Sequence, residues 1–132
     1  MKTLTVRQPE AWLLVHGIKD VENRTWSTTH RGPLLIHSSA RKPTAADLEW
    51  LTDVCAEEGI PVPALSELTT GAVVGAVWLE TITETDESPW WDEVSLAWIC
   101  THSAPCEPIP CKGKLGLWDH PTPADVEFTR KD

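Results

Sequence analysis

Residues 71–83 constrain the fold more than any other stretch of this chain. They form the longest β-like run, with apolar positions at Ala72, Val73, Val74, Ala76, Val77, Trp78, Leu79 and Ile82. A strand of that length needs other strands and helices to cover it. Gly75 interrupts the run and predicts a bulge or the tight bend of a small barrel.

The rest of the chain supplies shorter partners. Thr3 to Arg7 alternates polar and apolar residues, as a half-buried strand does. Pro9 and Glu10 suit the first turn of a helix that carries Trp12, Val15 and His16 on one face and stops at Gly17. Asp20 to Trp26 reads as a strand with Glu22, Arg24 and Trp26 on one face and Val21, Asn23 and Thr25 on the other. Gly32-Pro33 precedes the apolar strand Leu34 to His37. The clearest helix spans Pro43 to Glu58, with Thr44 as N-cap, Asp47 three residues on, and a buried stripe of Leu48, Leu51, Val54 and Cys55. Residues 60–70 read as a loop with one turn near Leu65 to Leu68. An acidic, Trp-containing loop (Glu84 to Glu93) leads to a strand from Val94 to Thr101. Pro105, Pro108 and Pro110 then fragment the chain, so any strand there is an edge. A turn at Lys112-Gly113-Lys114 introduces a last strand at Gly116 to Trp118. Five or six short strands with two early helices predict an α+β domain on a small, curled mixed sheet or barrel. We expect one domain over residues 1–120 and a loosely held tail over 121–132.

No run of about 18 apolar residues exists, so no membrane span is expected. The N-terminus lacks a signal-peptide core, which predicts a cytoplasmic protein. Cys55, Cys100, Cys106 and Cys111 lack the spacing of a zinc knuckle and read as reduced thiols, so neither a metal nor a cofactor is expected. Net charge is −9, which at first sight disfavours a nucleic-acid partner. Its distribution is uneven: residues 1–44 hold seven Lys/Arg against three acids, and residues 45–132 hold four against 17. A basic site on an acidic body can attract a polyanion at short range, because salt screens the distant acids.

Within the basic segment, Lys19, Glu22 and Arg24 crowd the junction between helix and strand. They suit an anion-binding or acid–base site, though spacing alone favours an ordinary ion pair between Glu22 and Arg24 with Lys19 in solvent. Arg7 and Gln8 end the first strand beside them. Lys112 and Lys114 flank Gly113 in a flexible loop fit for phosphate, or in a plain solvated turn. His37-Ser38-Ser39 has the residue types of a nucleophile and base, but neighbours on a strand face opposite ways, which favours His37 as a hydrogen-bonding wall. Of eight tryptophans, Trp12, Trp50, Trp78 and Trp98 read as core. Trp26 beside the cations is the candidate for base stacking. Trp90-Trp91 reads as a lid or a protein contact, and Trp118 as core or wall.

The motif Gly17-x-Lys19-x-x-Glu22-x-Arg24 resembles the signature G-x-K-x-x-E-x-R of the ASCH (activating signal cointegrator homology) domain. Leu4 to Pro9, Arg31 to His37 and Pro110 to Trp118 resemble further blocks of that family in the same order. The resemblance covers residues 1–120. It implies a PUA-like β-barrel with flanking α-helices and a cleft over the barrel where the signature residues gather.

The resemblance also implies binding of RNA or single-stranded nucleic acid and a role in RNA metabolism or regulation. Contacts would come from Arg7, Gln8, Lys19, Arg24, Trp26, His37, Lys112 and Lys114. Some family branches are hydrolases, and the alternative is a ribonuclease or a modified-nucleoside amidohydrolase using Lys19 and Glu22. The amidohydrolase branch carries a threonine three residues after its lysine, a place occupied here by Glu22. A nucleoside-like small molecule is then the alternative partner, and a protein contact through Trp90-Trp91 a third reading.

Overall fold

The computed structural model describes residues 1–126. The strands are β1 (Lys2–Val6), β2 (Val21–Arg24), β3 (Gly32–Ser38), β4 (Ala72–Thr83), β5 (Leu96–Pro110) and β6 (Leu117–Asp119). The helices are α1 (Glu10–Val15) and α2 (Ala45–Glu58), with a 3-10 turn at Leu65–Glu67. One six-stranded mixed sheet runs in the order β2-β5-β4-β3-β1-β6. Only β1 and β3 are parallel; the other four pairings are antiparallel.

The α+β expectation holds, but the expected barrel is a curled sheet that does not close. Among the described residues no backbone ladder joins β2 to β6. A side chain spans the curl instead: Arg24 Nη2, at the end of β2, donates to the Thr5 carbonyl on β1 at 2.8 Å. Inside the curl, Trp98 is fully buried with Leu4, Val6, Leu34, Ile36, Val77 and Leu79, and α1 adds Ala11, Leu14 and Val15. Each such aliphatic side chain contributes about 1.5–3 kcal/mol by leaving water. A second cluster joins Leu13 of α1 to Leu51, Val54 and Cys55 of α2.

The bulge expected at Gly75 is present and re-phases the strand. The β4 ladder shifts register between Val73 and Gly75 on the β5 side. Ala72 and Val74 face the interior of the curl before it, and Val77 and Leu79 after it, while Val73 and Ala76 join the outer cluster. One extra residue is what converts an even-numbered inner face to an odd-numbered one. A Cβ at Gly75 would lie 2.5 Å from the Ala104 carbonyl oxygen, so this crossing has no room for a side chain.

Helix α2 starts at the expected cap. Thr44 accepts from the Asp47 amide at 3.1 Å, and the Asp47 carboxylate accepts from the Thr44 amide at 2.8 Å. The bond from the Thr44 amide is the main cause that holds the Asp47 carboxyl below its usual range.

Three expectations need correction. The prolines do not end the strand that begins near Leu96, which runs on to Pro110. The β2 ladder stops at Ile99, however, and residues 104–110 pair only with β4, so the prolines do sit on an edge. Trp50 is 39% exposed, not core, because the α2 stripe that meets α1 is Leu51, Val54 and Cys55. The tail is not loose where it is described: Val126 is buried among Leu35, Val73 and Ala76, and Asp125 accepts the Glu107 amide at 2.9 Å. Residues 127–132 of the expected tail lie outside the described residues.

Candidate functional site

The turn after α1 fixes the first charged residue. The amides of Ile18 and Lys19 both donate to the Leu13 carbonyl at 3.0 Å, and the Gly17 amide donates to Leu14 at 3.1 Å. Lys19 thereby leaves the helix end pointing inward, with its side chain 8% exposed rather than in solvent. Strand β2 brings Glu22 beneath it. Glu22 Oε1 lies 3.2 Å from Lys19 Nζ, and Oε2 accepts from Arg24 Nε at 3.0 Å and lies 2.9 Å from Nη2. One buried carboxylate thus holds both cations. The Glu22–Arg24 ion pair foreseen in the sequence is present, but Lys19 joins it instead of lying in solvent.

This triad lines a cleft of about 680 Å³ whose walls include Arg7, Arg41, Trp26, Glu10, Ser39 and Asp92. Arg7 is 59% and Arg41 44% exposed at the side chain. Trp26 is half-buried, its ring edge-on to Trp98 at 4.9 Å, while its carbonyl accepts from Trp98 Nε1 at 3.2 Å. Four cations meet three carboxylates along these walls. The cleft is therefore mixed in charge rather than uniformly basic.

A second cavity of about 530 Å³ adjoins it, sharing Thr5, Arg24 and Ser39, and contains Lys112, Gly113 and Lys114. His37 stands in its wall, only 1% exposed. Its Nε2 is 2.8 Å from the Cys111 carbonyl, which can only accept, so that nitrogen carries the proton. Nδ1 is 3.3 Å from Thr5 Oγ1. Gly113 lies directly on this ring: a Cβ there would come within 2.8 Å of His37 and 2.7 Å of Thr5 Oγ1. Lys114 Nζ sits 5.9 Å over the Trp118 ring.

Of the residues singled out in the sequence, the cleft gathers Arg7, Lys19, Glu22, Arg24 and Trp26, and the adjoining cavity His37, Lys112 and Lys114. Gln8 is not with them. It is 1% exposed, its Nε2 donates to the Thr69 carbonyl and its Oε1 accepts the Trp12 amide, so its amide is consumed in holding α1. Trp90-Trp91 is not a free lid either: Asn23 Nδ2 donates to the Trp90 carbonyl at 2.9 Å, and the Asp92 amide donates to Asn23 Oδ1 at 3.1 Å.

The sequence did not mark Asn23, Asp92 or Arg41 as site residues, and marked Ser39 only as part of His37-Ser38-Ser39. Arg41 lies in the basic segment and was visible as charge alone. Asp92 is far from the signature in sequence and carries no local sign. Its carboxyl is held below its usual range chiefly by hydrogen bonds from Ser95, then from the Val94 amide.

The Cys100 thiol lies behind Glu22, where burial, and next the Glu22 carboxylate, push it up to about 12. It is a protonated thiol at neutral pH and no nucleophile. No helix among the described residues is long and apolar enough to cross a membrane.

The ASCH domain family model matches residues 4–110. Activating signal cointegrator 1 of Homo sapiens is 52% identical over 48 residues, and that of Mus musculus 46% over 48. The match takes in 36% of this chain but only 8% of the length of either cointegrator. Among solved structures, ASCH from Zymomonas mobilis superposes with a TM-score of 0.50 at 15% identity, covering 83% of this chain and 72% of that one. A mutant of the same protein gives 0.50 at 14%, covering 83% and 74%. At such identities the likeness is one of fold.

Proposed function

The chain belongs to the ASCH domain family, and from that premise we propose that its cleft binds RNA or another single-stranded nucleic acid. Family membership supports a nucleic-acid-related role in general. The observation that carries the finer reading is the graded arrangement of cations around one stacking surface. Arg7 and Arg41 stand exposed at the rim, where contact with phosphate costs little ordering. Lys19 and Arg24 are held by Glu22 in fixed positions deeper in. A pre-oriented guanidinium suits the carbonyl edge of a base or one bound phosphate. Trp26 offers a partly exposed ring on the same wall, and stacking on such a ring is indifferent to base identity. Lys112 and Lys114 in the adjoining cavity extend the track by one or two phosphates. Four free thiols accord with a reducing, cytoplasmic setting for this work.

The test is a titration of a labelled 12-nucleotide single-stranded RNA, and of its duplex, at 50 and 200 mM salt. Binding of the single strand is expected, with log K falling against log salt at a slope of about 0.7 per phosphate engaged. The duplex is expected to bind more weakly, because its paired and stacked bases offer Trp26 no free face. No binding of either at 50 mM salt sinks the proposal.

Hydrolysis of RNA or of a modified nucleoside is a second reading, favoured by the buried carboxylate between two cations. Glu22 would act as acid or base, Lys19 and Arg24 stabilising negative charge in the transition state. Lys19→Ala is then expected to abolish turnover of short RNAs or acylated nucleosides while the variant remains folded. Absence of product from the wild-type protein counts against it.

A further inference from the structure

A further tryptophan-lined groove adjoins the cleft, sharing Glu10, Lys19, Asn23 and Asp92 with it. Between the last turns of α2 and the loop of residues 84–95 lies a groove of about 390 Å³ lined by Trp50, Trp90, Trp91, Glu57, Glu58 and Asp92. We propose that this groove binds an arginine-bearing segment of a partner protein.

Three independent observations converge there. The first is aromatic. Trp50 is 39% exposed and meets Trp90 in a T-shaped contact at 6.3 Å, so part of one indole stays open to solvent while Trp90 packs on the helical core. An exposed indole face beside carboxylates is a seat for a planar cation. The second is electrostatic. Glu57 and Glu58 end α2, whose last turn carries no basic residue. Two carboxylates therefore add to the negative end of the helix dipole, an arrangement that local energetics disfavours unless a cation completes it. Neither is in an ion pair among the described residues. The third is at the inner end, where Glu10 also lines the groove: its Oε1 lies 3.9 Å from Arg7 Nε, while its Oε2 is buried without a hydrogen-bond partner. Lys19 is the one lysine or arginine in the lining, and Glu22 already neutralises it.

The walls are held in place before any ligand arrives. Asn23 ties the loop to β2, the Asp92 carboxylate collects the amides of Val94 and Ser95, and Trp91 Nε1 donates to the Ser95 carbonyl at 2.8 Å. A rigid aromatic and acidic slot favours the guanidinium over the ammonium. The guanidinium is planar, stacks, and reaches two carboxylates at once. At about 390 Å³ the groove is larger than one guanidinium and leaves room for the chain that carries it.

The proposal is tested by calorimetric titration of the full chain with a blocked octapeptide of alternating glycine and arginine, with no nucleic acid present. The outcome is thereby independent of what the neighbouring cleft binds. Trp50→Ala and the double variant Glu57→Gln/Glu58→Gln are expected to weaken binding by roughly three- to tenfold each. Both changes fall at exposed positions of α2, and circular dichroism checks the fold. Should Trp50→Ala unfold, the double variant decides alone. Absence of binding to wild-type protein at millimolar peptide overturns the proposal, and so does equal affinity in wild type and variants. Spermidine binding as tightly as the peptide overturns the assignment to a protein segment.

Discussion

At the residue scale, Glu22 organises the cleft. Its two oxygens hold Lys19 and Arg24, and its side chain is 8% exposed. Removing one partner of a buried pair strands the others, so Glu22→Ala is expected to cost about 3–5 kcal/mol in urea unfolding. Glu22→Gln, which keeps an acceptor, should cost less. Arg7→Ala removes only a rim contact. It should leave stability within about 0.5 kcal/mol and lower the salt slope of RNA binding by about 0.7. Cys100 offers a separate check. Its pKa is raised from an ordinary 9.0 to about 12 in the folded chain, so the folded state holds this proton more tightly than the unfolded one. The resulting stability is whole below about pH 9 and is lost as pH rises toward 12. Unfolding midpoints measured from pH 8 to 11 should fall, and fall less steeply in Cys100→Ala. The residue types at the site were readable from the signature. Their geometry was not, because Lys19 buries itself only when the turn after α1 meets β2, and Asp92 arrives from a distant loop.

At the element scale, the sequence declared the pieces with local signals and hid those set by tertiary pairing. The start of α2 was legible because Thr44 and Asp47 satisfy each other's amides within four residues. Thr44→Ala should therefore lower stability by about 1 kcal/mol, seen as a reduced melting temperature with unchanged RNA binding. The bulge was legible because glycine inside an apolar strand has few other uses. The extent of β5 was not. Three prolines argue against a strand, and the ladder with β4 overrides them because the β2 ladder on the opposite side stops at Ile99. Trp50 misled for a similar reason: an aromatic residue on an amphipathic helix is usually turned inward, and here the adjacent Leu51 takes the inward position. Gln8 stands at a strand end where a site contact is expected, but its length lets it accept the Trp12 amide of α1 and reach the Thr69 carbonyl.

At the scale of the whole molecule, the sheet meets itself through Arg24 rather than through backbone. The same side chain lines both cavities, so recognition and architecture are joined in one residue. Arg24→Leu should speed amide hydrogen exchange in residues 21–26 and 96–99 and leave α2 unchanged, as measured by mass spectrometry. Uniform exchange across the chain would show that the bridge does no structural work. The α+β class followed from the number and spacing of short strands. The unclosed curl did not, because closure depends on whether β2 and β6 meet, and neither is long enough to signal its neighbour.

The one-sided half of β5 has a consequence for behaviour at high concentration. A bare sheet margin presents a row of backbone donors and acceptors on which a strand from another molecule can lengthen the sheet, the first step toward fibres. From 104 to 110, Pro105, Pro108 and Pro110 supply no N–H, and the Glu107 amide is already taken by Asp125. An incoming strand finds too few partners to complete a ladder. Replacing the three prolines with threonine should restore the template and produce thioflavin-positive aggregates where the parent chain stays dispersed.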